Sequence, residues 1–231
     1  MNKYQAVIFD WNGVLIDDEE LHEFAFREVL RRAGGDLTHS DYVRCFAGRT
    51  DELGFEEYKN SKPFTTLDDV YNLIERKRKI YEEAINAKAS FYPNAAEVVD
   101  KASISGMKIG IVTGSPLREV KSSIARLNTN SAPNVIISSD DIESSKPDPE
   151  GFLLAAKILH ISPKNCLVIE DSPSGVKAAK QAGMYCIAIT NTHSIEQLQG
   201  ADSIVSSLDE IDLFHTPEDK KTGEAFINAA C

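Results

Sequence analysis

Short apolar runs rich in valine and isoleucine recur along most of this 231-residue chain. From residue 93 onward, amphipathic segments of helix length separate them, which is the pattern of repeated strand-helix-strand units. Strands of a parallel sheet are buried on both faces and therefore read as nearly continuous apolar runs. The sequence thus predicts an α/β fold, a doubly wound parallel sheet with helices on both faces. The predicted strands are QAVIF (5–9), MKIGIV (107–112), NVIIS (134–138), CLVIE (166–170), MYCIAI (184–189) and, more weakly, DSIV (202–205).

Residues 17–91 interrupt this alternation, because they contain no convincing strand and several helical stretches. The stretches predicted as helices are 18–33, roughly 38–47, and 66–88. We therefore predict a helical cap domain at 17–91, inserted into a core domain formed by 1–16 and 92–231. After the last strand, the segment HTPEDKKTGEAFINAAC loses the pattern and is expected to form a loose tail.

The acidic charge balance restricts the partners of such a chain. A formal net charge of -11 argues against nucleic acid and anionic membrane surfaces, since binding either requires clustered lysine and arginine. No apolar run in the sequence approaches the length of a membrane span. The four cysteines, Cys45, Cys166, Cys186 and Cys231, lack zinc-type spacing and fit reduced thiols in a cytoplasmic protein. A monomer or weak dimer is the expected assembly.

Polar residues follow the ends of four predicted strands, and they comprise a carboxylate, hydroxyl donors, a cation and a pair of acids. In strand order they are Asp10, Thr113-Gly114-Ser115, Lys146 and Glu170-Asp171. Parallel strands deliver their following loops to one edge of the sheet, so these residues should converge. Asp10 and Asp171 could bind a hard cation such as Mg²⁺, which would let a carboxylate approach an anionic phosphate. Lys146 and Thr113 would then orient the remaining phosphate oxygens.

Each of these residues also has an ordinary structural explanation. An Asp after a strand commonly forms a turn or caps a helix, and Thr113 could cap the helix that follows Pro116. The KPDP segment after Ser145 is favourable turn chemistry. The combination is more specific than any single member, because every residue of the set stands at the end of a strand.

Four segments resemble the motifs of the haloacid dehalogenase superfamily, and the resemblance covers nearly the whole chain. They are FDWNGV, IVTGS, SKPDP and IEDSPSG. The insertion after the first motif is similar to the helical cap of the subgroup that contains β-phosphoglucomutase and phosphoglycolate phosphatase. The resemblance therefore implies a phosphate-transferring enzyme whose cap closes over the substrate.

The resemblance also implies a role for each motif residue. Asp10 would form an aspartyl-phosphate, and Asp171 with the backbone carbonyl of Asn12 would bind Mg²⁺ beside it. Glu170 would support the metal. Thr113 and Lys146 would grip the phosphate, and Gly114 and Ser115 are further candidate phosphate contacts.

Asn12 departs from the family pattern, in which the residue two beyond the nucleophile is an Asp that protonates the leaving oxygen and then activates water. An amide cannot exchange a proton near neutral pH, so this function is lost while the main-chain metal contact survives. General acid-base help is typically worth about 10²–10⁴-fold in rate. Candidates for a substitute base stand at the start of the cap: Asp17, Asp18, Glu19, Glu20 and His22. The acids among them also fit a helix start, because Asp17 or Asp18 can cap the first cap helix and acids in its first turn complement the helix dipole.

Two cap residues are candidate substrate contacts. His22 lies on the apolar stripe of the first cap helix and is either a core histidine or a group facing the cleft. It matches a cap-hinge histidine of mutase-like members. Arg49, in FAGRTDELG, lies two positions before the arginine with which those mutases grip a distal phosphate, and Asp51 occupies that place. Arg49 could reach an anionic substrate or pair with a surface acid.

The predicted function is a Mg²⁺-dependent phosphohydrolase that acts on a small phosphorylated metabolite through Asp10, with turnover slowed by Asn12. One alternative is a phosphosugar mutase, which is disfavoured because proton transfer at residue 12 is central to it. Another is a regulatory protein that binds a phosphometabolite with little turnover. Dehalogenation is disfavoured, since it would leave the phosphate-gripping and metal-binding sets without a purpose.

Overall fold

The structure is a computed structural model, and it describes residues 3–47, 49–62 and 68–213. The chain divides into two compact units. The sheet unit contains the residues up to Ile16, Phe91–Val120, and those from Ala125 onward. The helical unit contains Asp17–Ser90 and also Lys121–Ile124, which the sequence analysis had placed in the core domain.

The elements predicted from sequence occur in the predicted order along the chain, and the structure adds β2, β3 and α3 to them. The strands are β1 (Ala6–Phe9), β2 (Ile16–Asp17), β3 (Ser90–Phe91), β4 (Lys108–Val112), β5 (Val135–Ile137), β6 (Cys166–Glu170), β7 (Tyr185–Ile189) and β8 (Ser203–Val205). The α-helices are α1 (Glu19–Arg32), α2 (His39–Cys45), α3 (Asp51–Ser61), α4 (Val70–Lys88), α5 (Ala95–Ile104), α6 (Leu117–Ile124), α7 (Glu150–Leu159) and α8 (Pro173–Gln181). Short 3₁₀ helices lie at Ser139–Asp141, Pro163–Asn165 and Leu208–Glu210.

Six strands form one parallel sheet in the order β5-β4-β1-β6-β7-β8. The order extends from β1 in both directions, so the predicted doubly wound sheet is confirmed. All six predicted strands are present. The two-residue strands β2 and β3 pair in a separate small sheet and were not predicted from sequence. They lie where the chain passes from one unit to the other.

One face of the main sheet is covered by α7 and α8. Phe152 of α7 and Val176 of α8 share a buried cluster with Ile8, Val112 and Val168 of the strands. Full burial of an aromatic or branched side chain contributes roughly 1.5–3 kcal/mol, so this layer fixes the strand ends firmly. The remaining helix positions in the cluster are mostly alanine, which lets the helices approach the sheet closely.

Aromatic packing dominates the helical unit. Phe26 of α1 meets Phe46 with ring centroids 4.1 Å apart, and Tyr42, Phe55 and Tyr58 complete the cluster. Helix α3 was missing from the sequence prediction, because its residues show only weak amphipathic periodicity. The last residues of the FAGRTDELG segment, from Asp51 onward, belong to α3. The helix predicted at 66–88 is described from Val70, and 66–67 lie outside the described residues.

The start of α1 differs from the expectation that Asp17 or Asp18 caps it. Asp18 occupies the N-cap position, but its side chain makes no capping hydrogen bond. It is buried, and its carboxylate accepts a hydrogen bond from the Tyr81 hydroxyl instead. Burial beside a hydroxyl donor therefore outweighed local capping.

The described helices and cysteines bear on the expected location of the protein and the expected state of its thiols. None of their helices combines the length and apolar character needed to cross a membrane. Cys45, Cys166 and Cys186 are buried and free. Cys231 and the segment expected to form a loose tail lie outside the described residues.

Candidate active site

The predicted strand-end residues are brought together at one edge of the sheet unit. Asp10 follows β1, and Glu170 is the last residue of β6, directly beside it in the sheet. The Asp10 amide donates to the Ile169 carbonyl at 2.9 Å, which ties the two strand ends together. The chain winds away from β1 in opposite directions, through β4 on one side and β6 on the other. Such a reversal opens a crevice at the carboxyl ends of the strands, where α/β proteins bind ligands.

Lys146 connects two of the acids. Its Nζ donates to Asp10 Oδ1 at 2.6 Å, to Glu170 Oε1 at 2.7 Å and to the Val112 carbonyl at 3.2 Å. The ammonium also lies 5.2 Å from the centre of the Phe152 ring. This one cation therefore fixes one oxygen of the predicted nucleophile and one oxygen of Glu170.

Glu170 is held on its second oxygen by the start of α8. Oε2 accepts from the Asp171 and Ser172 amides, both at 2.8 Å, and from the Ser172 hydroxyl at 3.0 Å. A carboxylate is stabilised there because the helix N-terminus carries positive partial charge. A Cβ at Gly175 would lie 1.7 Å from Glu170 Oε1, so only glycine leaves room for this arrangement. Both Glu170 oxygens are thus engaged by protein groups, which fits the supporting role predicted for it.

Three carboxylates form a compact cluster that suits a metal ion. Asp10, Glu170 and Asp171 each offer an oxygen, and the three atoms lie within 4.8 Å of one another. An all-oxygen donor set is typical of sites for hard cations such as Mg²⁺. Lys146 supplies one positive charge against three buried acids, so the site lacks positive charge. A divalent cation would offset that excess, and the donor set therefore fits the predicted group.

The pKa values of the cluster reflect the same excess. The pKa of Asp10 is raised to about 7, because the effects of burial and of the neighbouring Glu170 carboxylate outweigh the opposing effect of Lys146. Burial, followed by Glu170 and Asp10, also holds the pKa of Asp171 well above its ordinary value. Burial alone would lower the pKa of Lys146, but Asp10 and Glu170 outweigh it and raise that pKa. Lys146 is therefore an ammonium, while burial disfavours the ionised forms of Asp10 and Asp171.

Gly13 shapes the approach to Asp171. Its φ of +77° lies in the left-handed region, and a Cβ there would stand 2.1 Å from Asp171 Oδ2. The Asn191 side chain donates to the Gly13 carbonyl at 2.8 Å and holds this turn in place. The glycine that follows Asn12 is thus required for a steric reason that the sequence motif alone does not reveal.

We expect Gly13→Ala to weaken Mg²⁺ binding by about 10–100-fold, because the new methyl group must displace an Asp171 oxygen. Gly106→Ala is the matched control, since Gly106 has a φ of +76° but nothing within 4 Å of an added Cβ. Both variants carry the cost of a left-handed alanine, roughly 1–2 kcal/mol. Isothermal titration with Mg²⁺ and thermal unfolding separate the two effects. Equal Mg²⁺ affinities in the two variants would contradict the steric argument.

A loop after β7 also belongs to the site and was missed from sequence. Thr192 donates from Oγ1 to Asp171 Oδ2, and the His193 Nδ1 lies 3.0 Å from the Asp171 carbonyl oxygen. The signal that could have identified them is their position, because the segment TNTHS follows a buried strand at the same sheet edge. The loop after β7 therefore orients Asp171, and the site draws on a fifth strand end in addition to the four predicted ones.

Asn12 is anchored by the hydroxyl groups at the end of β4. Its Oδ1 accepts from Thr113 Oγ1 at 3.0 Å and from Ser115 Oγ at 2.9 Å. The Ser115 amide donates to Thr113 Oγ1 at 3.0 Å, so the two hydroxyl residues form one turn. Gly114 lies between them, and an added Cβ there would meet nothing within 4 Å. Two of the predicted phosphate-gripping residues, Thr113 and Ser115, thus contact the amide that replaces the usual acid.

His22 lies in a buried polar network of the helical unit. Its ring stacks on Tyr81 at 4.2 Å, its Nδ1 lies 3.1 Å from Lys77 Nζ, and its Nε2 lies 3.4 Å from Asp18 Oδ2. Lys77 is 2% exposed and also bonds Asp51 Oδ1 at 3.2 Å. The substrate contact expected of His22 stays a prediction.

Arg49, the other predicted cap contact, is exposed. Its Nη1 lies 3.3 Å from Glu57 Oε2 and donates to the Arg44 carbonyl. This geometry corresponds to the surface-acid alternative considered for it. A role in substrate binding likewise stays a prediction.

Comparison with known proteins identifies the family. The sequence matches the haloacid dehalogenase-like hydrolases over residues 7–189. The chain belongs to this family. Among similar proteins, validoxylamine A 7'-phosphate phosphatase of Streptomyces hygroscopicus subsp. limoneus is 30% identical to this chain over 210 residues. That match covers 90% of this chain and 96% of the relative.

Two further similar proteins extend the comparison. Phosphorylated carbohydrates phosphatase of Thermotoga maritima is 32% identical, over 78% of this chain and 82% of its own length. The crystal structure of CbbY from Rhodobacter sphaeroides in complex with phosphate shares the fold, with a TM-score of 0.79 and 24% identity. It covers 90% of this chain and 96% of that one. The prediction of a haloacid dehalogenase-type phosphatase is confirmed at this level.

Proposed function

We propose that the chain hydrolyses the phosphate monoester of a small, carbohydrate-like metabolite, with Asp10 as the nucleophile. The observation that carries the proposal is the geometry around Asp10. Lys146 holds Oδ1 at 2.6 Å, and this leaves Oδ2 as the oxygen for attack on phosphorus. The names of the two related phosphatases support a phosphorylated carbohydrate or a similar polyol as substrate.

Mg²⁺ is the metal that the donor set supports best. It would be held by Asp10, Asp171 and the backbone carbonyl of Asn12. Glu170 would support the ion through its charge, since protein groups engage both of its oxygens. Bound there, the ion would offset the repulsion between a carboxylate and a phosphate dianion. Thr113, Ser115 and Lys146 would orient the phosphoryl oxygens around Asp10.

The proposed reaction has two steps on Asp10. Oδ2 attacks phosphorus, the bond from phosphorus to the ester oxygen breaks, and an aspartyl-phosphate forms. A water molecule then attacks the same phosphorus, and the electron pair of the breaking bond returns to the Asp10 carboxylate. A phosphosugar mutase is disfavoured, because passing the phosphoryl group back to a second hydroxyl needs the proton exchange that Asn12 does not provide.

The test is phosphate release from a panel of sugar, polyol, glycolyl and aryl phosphates, with and without MgCl₂. We expect release from at least one of them that disappears with EDTA and returns when excess MgCl₂ is added. CaCl₂ is the matched control, because Ca²⁺ takes oxygen ligands but prefers a larger and more flexible coordination shell. Saturable binding of a phosphate ester without release above the uncatalysed rate would replace the proposal with a phosphometabolite-binding protein.

A further inference from the structure

Residue 12 has no group that can give or take a proton. Asn12 Oδ1 accepts hydrogen bonds from Thr113 and Ser115, so the amide is fixed among the phosphate-gripping hydroxyls. A carboxamide has no acidic proton and takes up none near neutral pH. The residue therefore provides no acid-base exchange.

The titratable groups around Asp10 do not replace the missing group. Lys146 donates to two carboxylates, and both oxygens of Glu170 are engaged. Asp171 accepts from Thr192 and belongs to the candidate metal cluster. A group committed in this way loses its partners if it gives or takes a proton, which is costly in a buried site. Proton transfer to the leaving oxygen thus has no prepared donor among these residues.

We propose that residue 12 limits turnover of the proposed substrate, that donors whose leaving group departs without a proton phosphorylate Asp10 faster, and that the phosphoryl group then stays on Asp10. The inference rests on the proposed function, since it requires Asp10 to be the nucleophile. The faster donors are acyl and aryl phosphates, whose carboxylate or phenolate leaving groups are stable anions.

The two steps differ in their need for residue 12. In the first, Asp10 Oδ2 bonds to phosphorus, and the leaving oxygen departs with the electron pair of its bond as an anion. In the second, water bonds to phosphorus and must lose a proton to solvent, while the electron pair returns to Asp10. An acidic leaving group relieves the first step only. The aspartyl-phosphate therefore forms faster than it hydrolyses, and it accumulates.

A leaving-group series tests the first half of the inference. The probes are acetyl phosphate, 4-nitrophenyl phosphate, phenyl phosphate and glucose 6-phosphate, each with MgCl₂. For the wild type, we expect kcat/KM to fall steeply as the leaving group becomes more basic. For Asn12→Asp the fall should be shallow. The variant should exceed the wild type by about 10²–10⁴-fold on glucose 6-phosphate and by much less on acetyl phosphate.

Intact-protein mass spectrometry tests the second half. After acetyl phosphate is exhausted, the wild type should keep the added mass of one phosphoryl group, and hydroxylamine should remove it, because it cleaves acyl phosphates. Asn12→Asp should lose the added mass at least 10²-fold faster. Asp10→Asn should not acquire it.

The outcomes separate this inference from the proposed function. If the wild type shows a shallow leaving-group dependence, or hydrolyses these donors without keeping a phosphoryl group, then another residue moves the proton. That result overturns the inference and leaves the proposed function intact. If Asp10→Asn acquires the same mass, or if no donor modifies or is hydrolysed by the wild type, both the inference and the proposed function fall.

Discussion

Asp10→Asn is expected to abolish phosphate release and, at the same time, to stabilise the protein when no divalent ion is present. The loss of activity follows from the loss of the nucleophile, because a neutral amide oxygen does not form an acyl phosphate. We expect turnover to fall by about 10⁴-fold or more, as when other enzymes lose their nucleophile. The change is nearly isosteric, so the fold itself should be unaffected.

The gain in stability follows from the raised pKa of Asp10. A carboxyl with an ordinary pKa of 3.8 releases its proton in the unfolded chain well before the folded protein does so at about 7. Between these values the folded state binds the extra proton, so the free energy of unfolding falls as the pH rises. Above pH 7 the whole penalty is present. An asparagine avoids it, and we expect a gain of about 1–4 kcal/mol at pH 8.

Urea unfolding of the wild type and Asp10→Asn at pH 5 and pH 8, each in EDTA, measures this effect. The difference between the two proteins should be larger at pH 8. Adding MgCl₂ should stabilise the wild type more than the variant, which has one charged ligand fewer. A variant that is less stable than the wild type at pH 8 would show that the site does not carry the proposed excess of negative charge.

Lys146→Met is expected to lower both activity and stability, in contrast to Asp10→Asn. Methionine keeps an unbranched chain near Phe152 but removes the ammonium that bonds Asp10 and Glu170. Removing one partner of a buried ionic group typically costs about 3–5 kcal/mol. Loss of one electrostatic contact to the phosphoryl group typically lowers kcat by about 10²–10³-fold. The loss of stability should be smaller at pH 5, because the unpaired carboxyls are then protonated.

Lys180→Met is the matched control for this variant. Lys180 bonds Asp202 at 2.5 Å in an ion pair that is partly exposed, with 39% of the lysine side chain accessible. Exposed pairs contribute about 0–1 kcal/mol, so the control should unfold almost like the wild type and retain its phosphate release. Urea unfolding and initial rates with MgCl₂ are the measurements. If the two lysine variants were equally stable, Lys146 would not compensate the carboxylate cluster as described.

The succession of strands along the chain and the residue types of the site could be predicted because each depends on local sequence. A buried parallel strand is a nearly continuous apolar run, and the polar residue that ends it marks the carboxyl edge. Asp10 and Glu170 were located in this way, and Lys146 was located in the loop that follows β5. Their individual partners were not, since Lys146 reaches Asp10 across 136 positions of sequence.

The features that sequence reasoning missed depend on tertiary contacts. Helix α3 lacks a clear apolar stripe, yet Phe55 and Tyr58 pack into an aromatic cluster contributed by three helices. Asp18 was expected to cap α1, but Tyr81, 63 residues away, binds it instead. Thr192 was not predicted because the sequence around it does not indicate that Asp171 is its partner. Each of these requires knowing which distant segment lies alongside.

The network around His22 bears on whether that residue can substitute for a catalytic base. The Lys77 ammonium has only hydrogens to offer, so Nδ1 must present its lone pair to it at 3.1 Å. The ring proton then resides on Nε2, which lies on the Asp18 side at 3.4 Å. This tautomer has no unoccupied nitrogen with which to deprotonate water. Of the five residues considered as a substitute base, His22 therefore has both ring nitrogens engaged by Lys77 and Asp18.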